Sequence, residues 1–266
     1  MKRARQRGRG VEFDEVRAYA AGDDVRAIDW RVTARCGTAH TKLFHEDREQ
    51  PILVAIDQRT PMKFGSTQCF KSVMAAHVGT LALWSALGAG ERVGGVVLGD
   101  HSLSDTRPKR SQHSVLRVIG DLVREGAPNA SDNSPSNGLS DLLQQLERIA
   151  RPGTRIFLIS DFHDLLEADN FSPLRRLARR TQLVGIAVND RLEAELPRSG
   201  HYSVTDGNHH SSLDTGADTI REAYASQYRS NQEFTARRLR ELRIPLLKIS
   251  TGDDTLRRLL TVFPAR

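Results

Sequence analysis

The stretch ILVAID at residues 52–57 decides the fold class, because it is a continuous apolar run that ends in a carboxylate. A strand that is apolar at every position is typical of a parallel sheet with both faces covered. A second run of this kind, RIFLIS at residues 155–160, is followed directly by Asp161. The two runs predict buried strands of one parallel sheet, each with an aspartate at its carboxyl end.

Outward from these runs, strand and helix patterns alternate along the chain. We predict further strands at 92–98, 182–188 and 246–249, a small hairpin at 202–204 and 210–213, and helices at 66–89, 111–124, 139–150, 171–180, 217–243 and 253–262. This alternation indicates an α/β fold with a doubly wound, mostly parallel sheet. The polar segment at 126–137, GAPNASDNSPSN, is predicted to be a loop.

Length and charge divide the chain into three segments. A chain of 266 residues can form one large domain with an appendage. The first nine residues, MKRARQRGR, hold five basic residues and no acidic residue, so the net charge of +6 comes mainly from this end. We predict a flexible basic arm at 1–11, an irregular, charge-rich appendage at 12–50 and the α/β domain at 51–266.

Composition also bears on the cellular compartment. Two cysteines, Cys36 and Cys69, are too few for a disulfide framework or a zinc cage, so we expect reduced thiols in a cytoplasmic protein without a signal peptide. Residues 73–90 contain no charge, but His77, Thr80 and three glycines dilute this apolar run. We interpret it as a buried helix and predict no membrane span.

Three polar side chains are expected to meet at the carboxyl edge of the sheet. Sites in doubly wound sheets form beyond the carboxyl ends of the strands, so Asp57 and Asp161 should point into one crevice. Ser140 and Asp141 open a helix after a glycine turn. The alternative is that each aspartate only caps a turn or a helix. We predict a shared polar site of Asp57, Ser140 and Asp161.

A second candidate surface is the segment EFDEVRAYAAGDDVRAIDWRVTAR at residues 12–35, which mixes four Arg, six Asp or Glu and three aromatic residues. We interpret it either as an ion-pair network that ties the appendage to the main domain or as a docking surface for a partner. Trp30 is predicted to anchor the appendage rather than to be an exposed contact. The candidate residues are Arg17, Asp23, Asp24, Arg26, Asp29, Trp30 and Arg35.

Several of these motifs resemble those of known families. The segment GDDVRAIDW at 22–30, with KLFHEDRE at 42–49, is similar to the signature of the bacterial domain-of-unknown-function 58 family. The segment DQRTPM at 57–62 lies where a von Willebrand factor A-like domain carries its Asp-x-Ser-x-Ser metal motif. GLSDL at 138–142 resembles the later Gly-Thr-Asp-Leu element of that domain, and Asp161 its final aspartate.

The resemblance implies a von Willebrand factor A-like, Rossmann-type domain that binds proteins and is not an enzyme. It further implies that the protein works with a MoxR-type AAA+ ATPase, in chaperone-like assembly or maturation of client proteins. The partner would then be the ATPase, a client protein or both, bound through the crevice above Asp57, Ser140 and Asp161.

The sequence departs from the family's metal motif. Arg59 and Pro61 replace the two motif serines, and Mg²⁺ requires about six oxygen ligands. The remaining oxygen donors are Asp57, Ser140 and Asp161. We expect no cofactor, with Mg²⁺ at this degenerate site as the alternative. In the preferred hypothesis the Arg59 guanidinium takes the place of the ion and pairs with Asp57 or Asp161. Otherwise Arg59 is exposed and Thr60 supplies an off-register hydroxyl.

Two other functions stay open. A metal-dependent hydrolase could use Asp57 and Asp161 with His163, although the sequence contains no evident base, nucleophile motif or phosphate-binding loop. The basic arm could bind nucleic acid, but it has no aromatic residue on which bases would stack. We therefore favour a non-enzymatic adaptor.

Overall fold

The computed structural model describes residues 11–46, 50–126, 137–166, 171–198, 200–205 and 210–254. The chain forms two compact units, Met1–Glu49 and Gln50–Arg266. Nearly all of the predicted basic arm lies outside the described residues, as do most of the predicted loop at 126–137 and of the closing helix at 253–262.

The first unit contains an antiparallel pair of strands, β1 (Val11–Ala18) and β2 (His40–Glu46), and a short helix, α1 (Trp30–Cys36). Our prediction of an irregular segment is corrected here. A β-bulge between Phe13 and Glu15 adds one residue to β1, so the alternation of apolar residues changes phase in the middle of the strand. The strand is therefore hidden from a search for strict two-residue periodicity.

The second unit is built on a six-stranded sheet in the order β5-β4-β3-β6-β7-β10, in which only β5 is antiparallel to its neighbour. Its strands are β3 (Ile52–Asp57), β4 (Val93–Leu98), β5 (Leu103–Lys109), β6 (Arg155–Ser160), β7 (Gln182–Asn189) and β10 (Leu246–Ser250). Counted from β3, this is the order 3-2-1-4-5-6 of doubly wound folds. The predicted α/β fold with a mostly parallel sheet is confirmed.

Helices and one hairpin complete this unit. The helices are α2 (Lys71–Gly88), α3 (Gln112–Gly126), α4 (Leu139–Ile149), α5 (Phe171–Arg180), α6 (Arg191–Ala194) and α7 (Asp218–Glu241). The hairpin pairs β8 (His201–Thr205) with β9 (His210–Asp214) in a separate two-stranded sheet. The hairpin and the long α7 were predicted from the sequence.

The core lies on both faces of the sheet, which explains why β3 is apolar at every position before Asp57. Ile52, Val54 and Ile56 of β3 pack with residues of α2 and α3. Leu53 and Ala55 of the same strand pack on the opposite face, with residues of α4, α5 and α7. A strand buried on both sides has no polar face, so the sequence signal is a run and not an alternation.

All but the last two residues of the uncharged stretch at 73–90 lie in α2, which packs on β3. Gly79 makes this close approach possible, because a Cβ at that position would lie 2.4 Å from Cδ1 of Ile56. The helix begins at Lys71, whereas the predicted start was residue 66. Among the described helices, none is long and apolar enough to cross a membrane.

The edge strand β5 was not predicted. Its sequence, LSDTRPK, has one strongly apolar residue and a proline, which edge strands tolerate because one side needs no ladder hydrogen bonds. Its partner strand contains Gly94, where a Cβ would lie 2.2 Å from the carbonyl oxygen of Thr106. The glycine that weakens the strand pattern of β4 therefore admits the backbone of β5.

Candidate functional site

The site lies at the carboxyl edge of the sheet, where the strand order reverses between β3 and β6. Asp57 ends β3 and is 1% exposed, and Ser160 ends the neighbouring β6. The Ser160 hydroxyl donates a hydrogen bond to Oδ2 of Asp57 at 2.9 Å. The two strands are parallel and in direct register, with Ile56 beside Ile159, so their polar ends meet, but the residue that contacts Asp57 is Ser160 and not the predicted Asp161.

Arg59 fills the space in front of Asp57. Its Nε donates to Oδ1 of Asp57 at 2.9 Å and its Nη2 to Oδ2 at 2.7 Å, which is a two-pronged guanidinium–carboxylate pair. Nη1 donates to Oδ2 of Asp164 at 2.7 Å. The guanidinium is thus clamped between two carboxylates.

Burial and pairing act in opposite directions on Arg59. The residue is 7% exposed, and burial by itself would lower its pKa. The hydrogen bonds and charges of Asp57 and Asp164 outweigh burial and raise the pKa. Arg59 is therefore a permanent buried cation, and the alternative of an exposed Arg59 is wrong. Its pairing with Asp57 agrees with the preferred hypothesis, but its second partner is Asp164 and not Asp161.

Asp164 connects this cluster to α4. It lies in a 3-10 turn, His163–Leu166, and its Oδ2 also accepts the backbone N–H of Leu139 at 3.1 Å. Ser140, the next residue of α4, is half-buried, and within the described residues it makes no hydrogen bond to Asp57, Arg59 or Asp161. We call Asp57, Arg59, Ser160 and Asp164 the arginine cluster. Through Asp164, this cluster contacts the backbone at the start of α4.

A second buried cation, Lys71, lies at the start of α2. Its Nζ contacts Oδ2 of Asp161 at 2.9 Å and Oε1 of Glu193 at 2.5 Å. Lys71 is 1% exposed, and burial would lower its pKa, but the two carboxylates raise it. Burial would likewise raise the pKa of Asp161, but the Lys71 ammonium, together with His163, outweighs burial and lowers it. We call these three residues the lysine cluster.

Asp190 braces the lysine cluster. Its carboxylate accepts the hydroxyls of Ser66 at 2.5 Å and Thr251 at 2.6 Å, as well as the backbone N–H groups of Ser66 and Leu192. Burial would raise its pKa, but these hydrogen bonds lower it. Oε2 of Glu193 accepts the backbone N–H of Asp190 at 2.9 Å, so the same glutamate both caps α6 and contacts Lys71.

A cavity of about 260 Å³ opens beside the lysine cluster. Its polar lining comes from Asp161, His163, Asn189, Glu193, Tyr224, Gln227, Tyr228, Asn231, Gln232 and Thr235. Burial, with the charge of Glu193, raises the pKa of Tyr228 to about 12, so this phenol stays protonated. The His163 side chain is exposed, and its backbone N–H donates to Asp161.

The expected metal ligands have other partners. Both oxygens of Asp57 are engaged by Arg59 and Ser160, and Asp161 is engaged by Lys71. Thr60, the off-register hydroxyl, donates to Oδ2 of Asp100 at 2.8 Å. In the described part of the chain, no group of three or more His, Cys, Asp or Glu side chains is placed to hold a metal ion. This arrangement does not fit six-coordinate Mg²⁺.

The charged segment of the first unit uses several of its acids as caps. Asp24 caps a 3-10 turn, Val25–Ala27, and Asp29 caps α1 by accepting the backbone N–H groups of Arg31 and Val32. Arg17 pairs with Asp23 at 2.7 Å, and Arg26 and Arg35 are exposed. Trp30 is 70% exposed, so our interpretation of it as an anchor is corrected. Trp30 is the first residue of α1 and lies in the turn that Asp29 caps, so the cap fixes its backbone while its side chain stays exposed.

Sequence reasoning missed five members of the site: Lys71, Ser160, Asp164, Asp190 and Glu193. Ser160 is the last residue of β6, and the three acidic residues lie one to four residues beyond the ends of β6 and β7, where the rule that found Asp57 also applies. Lys71 carries a weaker signal, because a lysine at the start of a helix is ordinarily solvated.

Among known proteins, the chain is similar to the uncharacterized protein Rv1480 of Mycobacterium tuberculosis and the uncharacterized protein Mb1516 of Mycobacterium bovis. Each is 28% identical over 255 residues, which cover 94% of this chain and 77% of the relative.

Two solved structures are distantly similar in fold. The conserved hypothetical protein BatB from Bacteroides thetaiotaomicron is 11% identical with a TM-score of 0.47, over 80% of this chain and 95% of that one. The SpRpn10 VWA domain is 12% identical with a TM-score of 0.42, over 81% and 95%. Residues 15–234 match the family described as Protein of unknown function DUF58, and because this match spans most of the chain, the protein belongs to that family.

Proposed function

We propose that this protein is a non-enzymatic adaptor that binds other proteins at the carboxyl edge of its sheet without a metal ion. The observation that carries the proposal is the buried Arg59 guanidinium, held by Asp57 and Asp164 where the family resemblance would place a cation. The partner we propose is a MoxR-type AAA+ ATPase, with which the protein assists the assembly or maturation of client proteins in the cytoplasm.

Two fixed cations support a metal-independent mode of binding. Arg59 and Lys71 each form ion pairs with two carboxylates, and both are less than 10% exposed. A covalently attached cation needs no free ion and loses no freedom when a partner docks, so the edge is preorganised. The bracing of Asp190 by Ser66 and Thr251 fixes the same edge.

The cavity beside the lysine cluster supports protein recognition. Tyr224 and Tyr228 offer apolar rings with polar ends, and Gln227, Asn231 and Gln232 offer amides that both donate and accept hydrogen bonds. Aromatic residues with adaptable polar neighbours are typical of protein-binding surfaces. We propose that a segment of the partner docks here.

A pull-down with the purified MoxR-type ATPase of the same organism tests the partner. The full-length chain should retain the ATPase, and a Tyr224→Ala/Gln227→Ala variant should bind it about five- to thirtyfold more weakly, as expected for loss of one aromatic contact of about 1–2 kcal/mol. The control variant is Arg117→Gln on α3, whose side chain is exposed. Equal retention by all three proteins, or by none, defeats the proposed partner at this site.

Calorimetry with Mg²⁺ and Mn²⁺ tests the metal-free mode separately. The purified protein should show no saturable binding at micromolar concentrations of either ion. Micromolar binding that disappears in an Asp57→Ala variant would show a metal site here and overturn this part of the proposal, whatever the pull-down gives.

A further inference from the structure

A second polar cavity lies at the opposite, amino edge of the sheet. It has a volume of about 290 Å³. Its walls come from the residues that precede β3, β4 and β6, from the end of β5 and from the end of α4. The lining residues that matter are Pro51, Arg92, Arg107, Pro108, Arg148 and Arg151.

The charge of this cavity is of one sign. Four arginines line it, and among the described lining residues there is no Asp or Glu. Arg92 donates to the carbonyl oxygen of Pro108 at 3.3 Å, whereas Arg107, Arg148 and Arg151 are exposed and have no ion pair within the described residues. The carboxyl end of α4 carries a partial charge of about −0.5, which cannot balance four guanidinium groups.

The walls of the cavity are rigid. Pro51 and Pro108 have fixed φ angles. The backbone at Pro51 and Arg92 is held by the sheet, through hydrogen bonds from Ile52 N–H to Arg92 O at 2.8 Å and from Arg155 N–H to Pro51 O at 2.9 Å. The arginine side chains are therefore attached to a preformed concave frame rather than to a flexible loop.

We propose that this cavity binds a small molecule through two adjacent phosphate groups. Guanidinium forks match phosphate oxygens in pairs, and four forks supply enough donors for two phosphates. The volume suits a small anion, since cavities for drug-sized ligands begin at about 300 Å³. This site is independent of the proposed adaptor function, which uses the carboxyl edge.

Thermal melting and calorimetry with inorganic pyrophosphate, ADP and adenosine test the site on the full chain. At matched ionic strength, pyrophosphate and ADP should raise the melting temperature and bind with a Kd below about 100 μM, and adenosine should do neither. An Arg107→Gln/Arg151→Gln variant should bind pyrophosphate at least tenfold more weakly. Both substituted side chains are exposed, so the variant should fold, and circular dichroism verifies this.

The matched control is Arg117→Gln, which removes an exposed arginine from α3, away from the cavity lining. It should bind pyrophosphate like the unchanged protein. Three results would overturn the proposal: no binding of pyrophosphate, equal weakening in both variants, or binding of adenosine as tight as that of ADP. If the double variant does not fold, Arg151→Gln alone replaces it, with at least threefold weakening expected.

Discussion

The two edges of the central sheet use positive charge in opposite ways. At the carboxyl edge, Arg59 and Lys71 are buried, and each contacts two carboxylates. At the amino edge, Arg107, Arg148 and Arg151 are exposed, and the described lining of their cavity has no carboxylate. A buried ion must be paired because its desolvation is costly, whereas an exposed ion is solvated and free to meet a ligand. Burial and pairing therefore separate a structural cation from a binding one.

The largest test of this comparison is Asp57→Ala. The substitution removes both prongs of the Arg59 pair and the acceptor of the Ser160 hydroxyl, which leaves a buried guanidinium half-paired. The free energy of unfolding, measured by urea denaturation at pH 7, should fall by about 3–5 kcal/mol.

The matched control for this prediction is Asp100→Ala. Asp100 accepts two hydrogen bonds from the exposed Thr60, and it lies 3.9 Å from Lys63. Its loss should lower the free energy of unfolding by about 1 kcal/mol. Equal losses in the two variants would mean that Arg59 is not a buried cation that depends on Asp57.

A somewhat smaller effect is expected for Lys71→Met, which keeps most of the side-chain volume but removes the ammonium. Asp161 and Glu193 then face each other without a counter-charge, and the free energy of unfolding should fall by about 3 kcal/mol. Lys63→Met is the control, because Lys63 is partly exposed and its ion pair is long, and it should cost less than about 1 kcal/mol. A loss below that level at Lys71 would contradict its structural role.

The loss of stability at low pH gives a second test of the structural role of Lys71. Burial raises the pKa of Asp161, but Lys71 and His163 together lower it further than burial raises it, so the folded state holds this carboxylate ionised below its ordinary pKa of about 3.9. The resulting stability is present above about pH 4 and is lost as the pH falls through the folded pKa. In Lys71→Met, burial of Asp161 is opposed only by the contacts of His163, so the pKa of Asp161 rises and protonation relieves part of the loss.

The difference in unfolding free energy between the unchanged protein and Lys71→Met should therefore narrow by about 1–2 kcal/mol between pH 6 and pH 3. Urea titrations at several pH values measure it. The double variant Lys71→Met/Asp161→Asn has no carboxylate at position 161. Its unfolding free energy should therefore lack the relief between pH 6 and pH 3 that protonation of Asp161 gives to Lys71→Met. A difference that stays constant from pH 6 to pH 3 would show that the Lys71–Asp161 contact contributes nothing to the pH dependence of stability.

Sequence reasoning found the parts of this architecture that depend on the hydrophobic pattern. Strands β3 and β6 are apolar at almost every position because both faces are buried, and the aspartates Asp57 and Asp161 follow from where those runs end. The edge strand β5 gave no such signal, since one of its sides needs neither apolar residues nor hydrogen bonds. Strand β1 was hidden because its bulge breaks the alternation.

The pairing within the site could not be predicted in the same way. Arg59 and Asp57 are two residues apart, and their contact was a natural hypothesis. Asp164 and Glu193 come from distant parts of the chain, and their reach depends on the path of a 3-10 turn and of the short α6. Which acidic residue meets which cation depends on backbone positions that differ by a few ångströms. Residue type and spacing in the sequence do not determine those positions.

The smallest expected effect lies at the amino edge and completes the comparison. Arg151→Gln removes one exposed charge from a cluster of like charges, so the free energy of unfolding should change by no more than about 0.5 kcal/mol, with the melting temperature rising slightly at low salt. The rise should vanish in 0.5 M NaCl, because exposed charges are screened over about 10 Å or less, whereas the loss caused by Lys71→Met should persist. If salt removed both effects alike, the lysine cluster would be as solvated as the arginines, and the contrast between the two edges would fail.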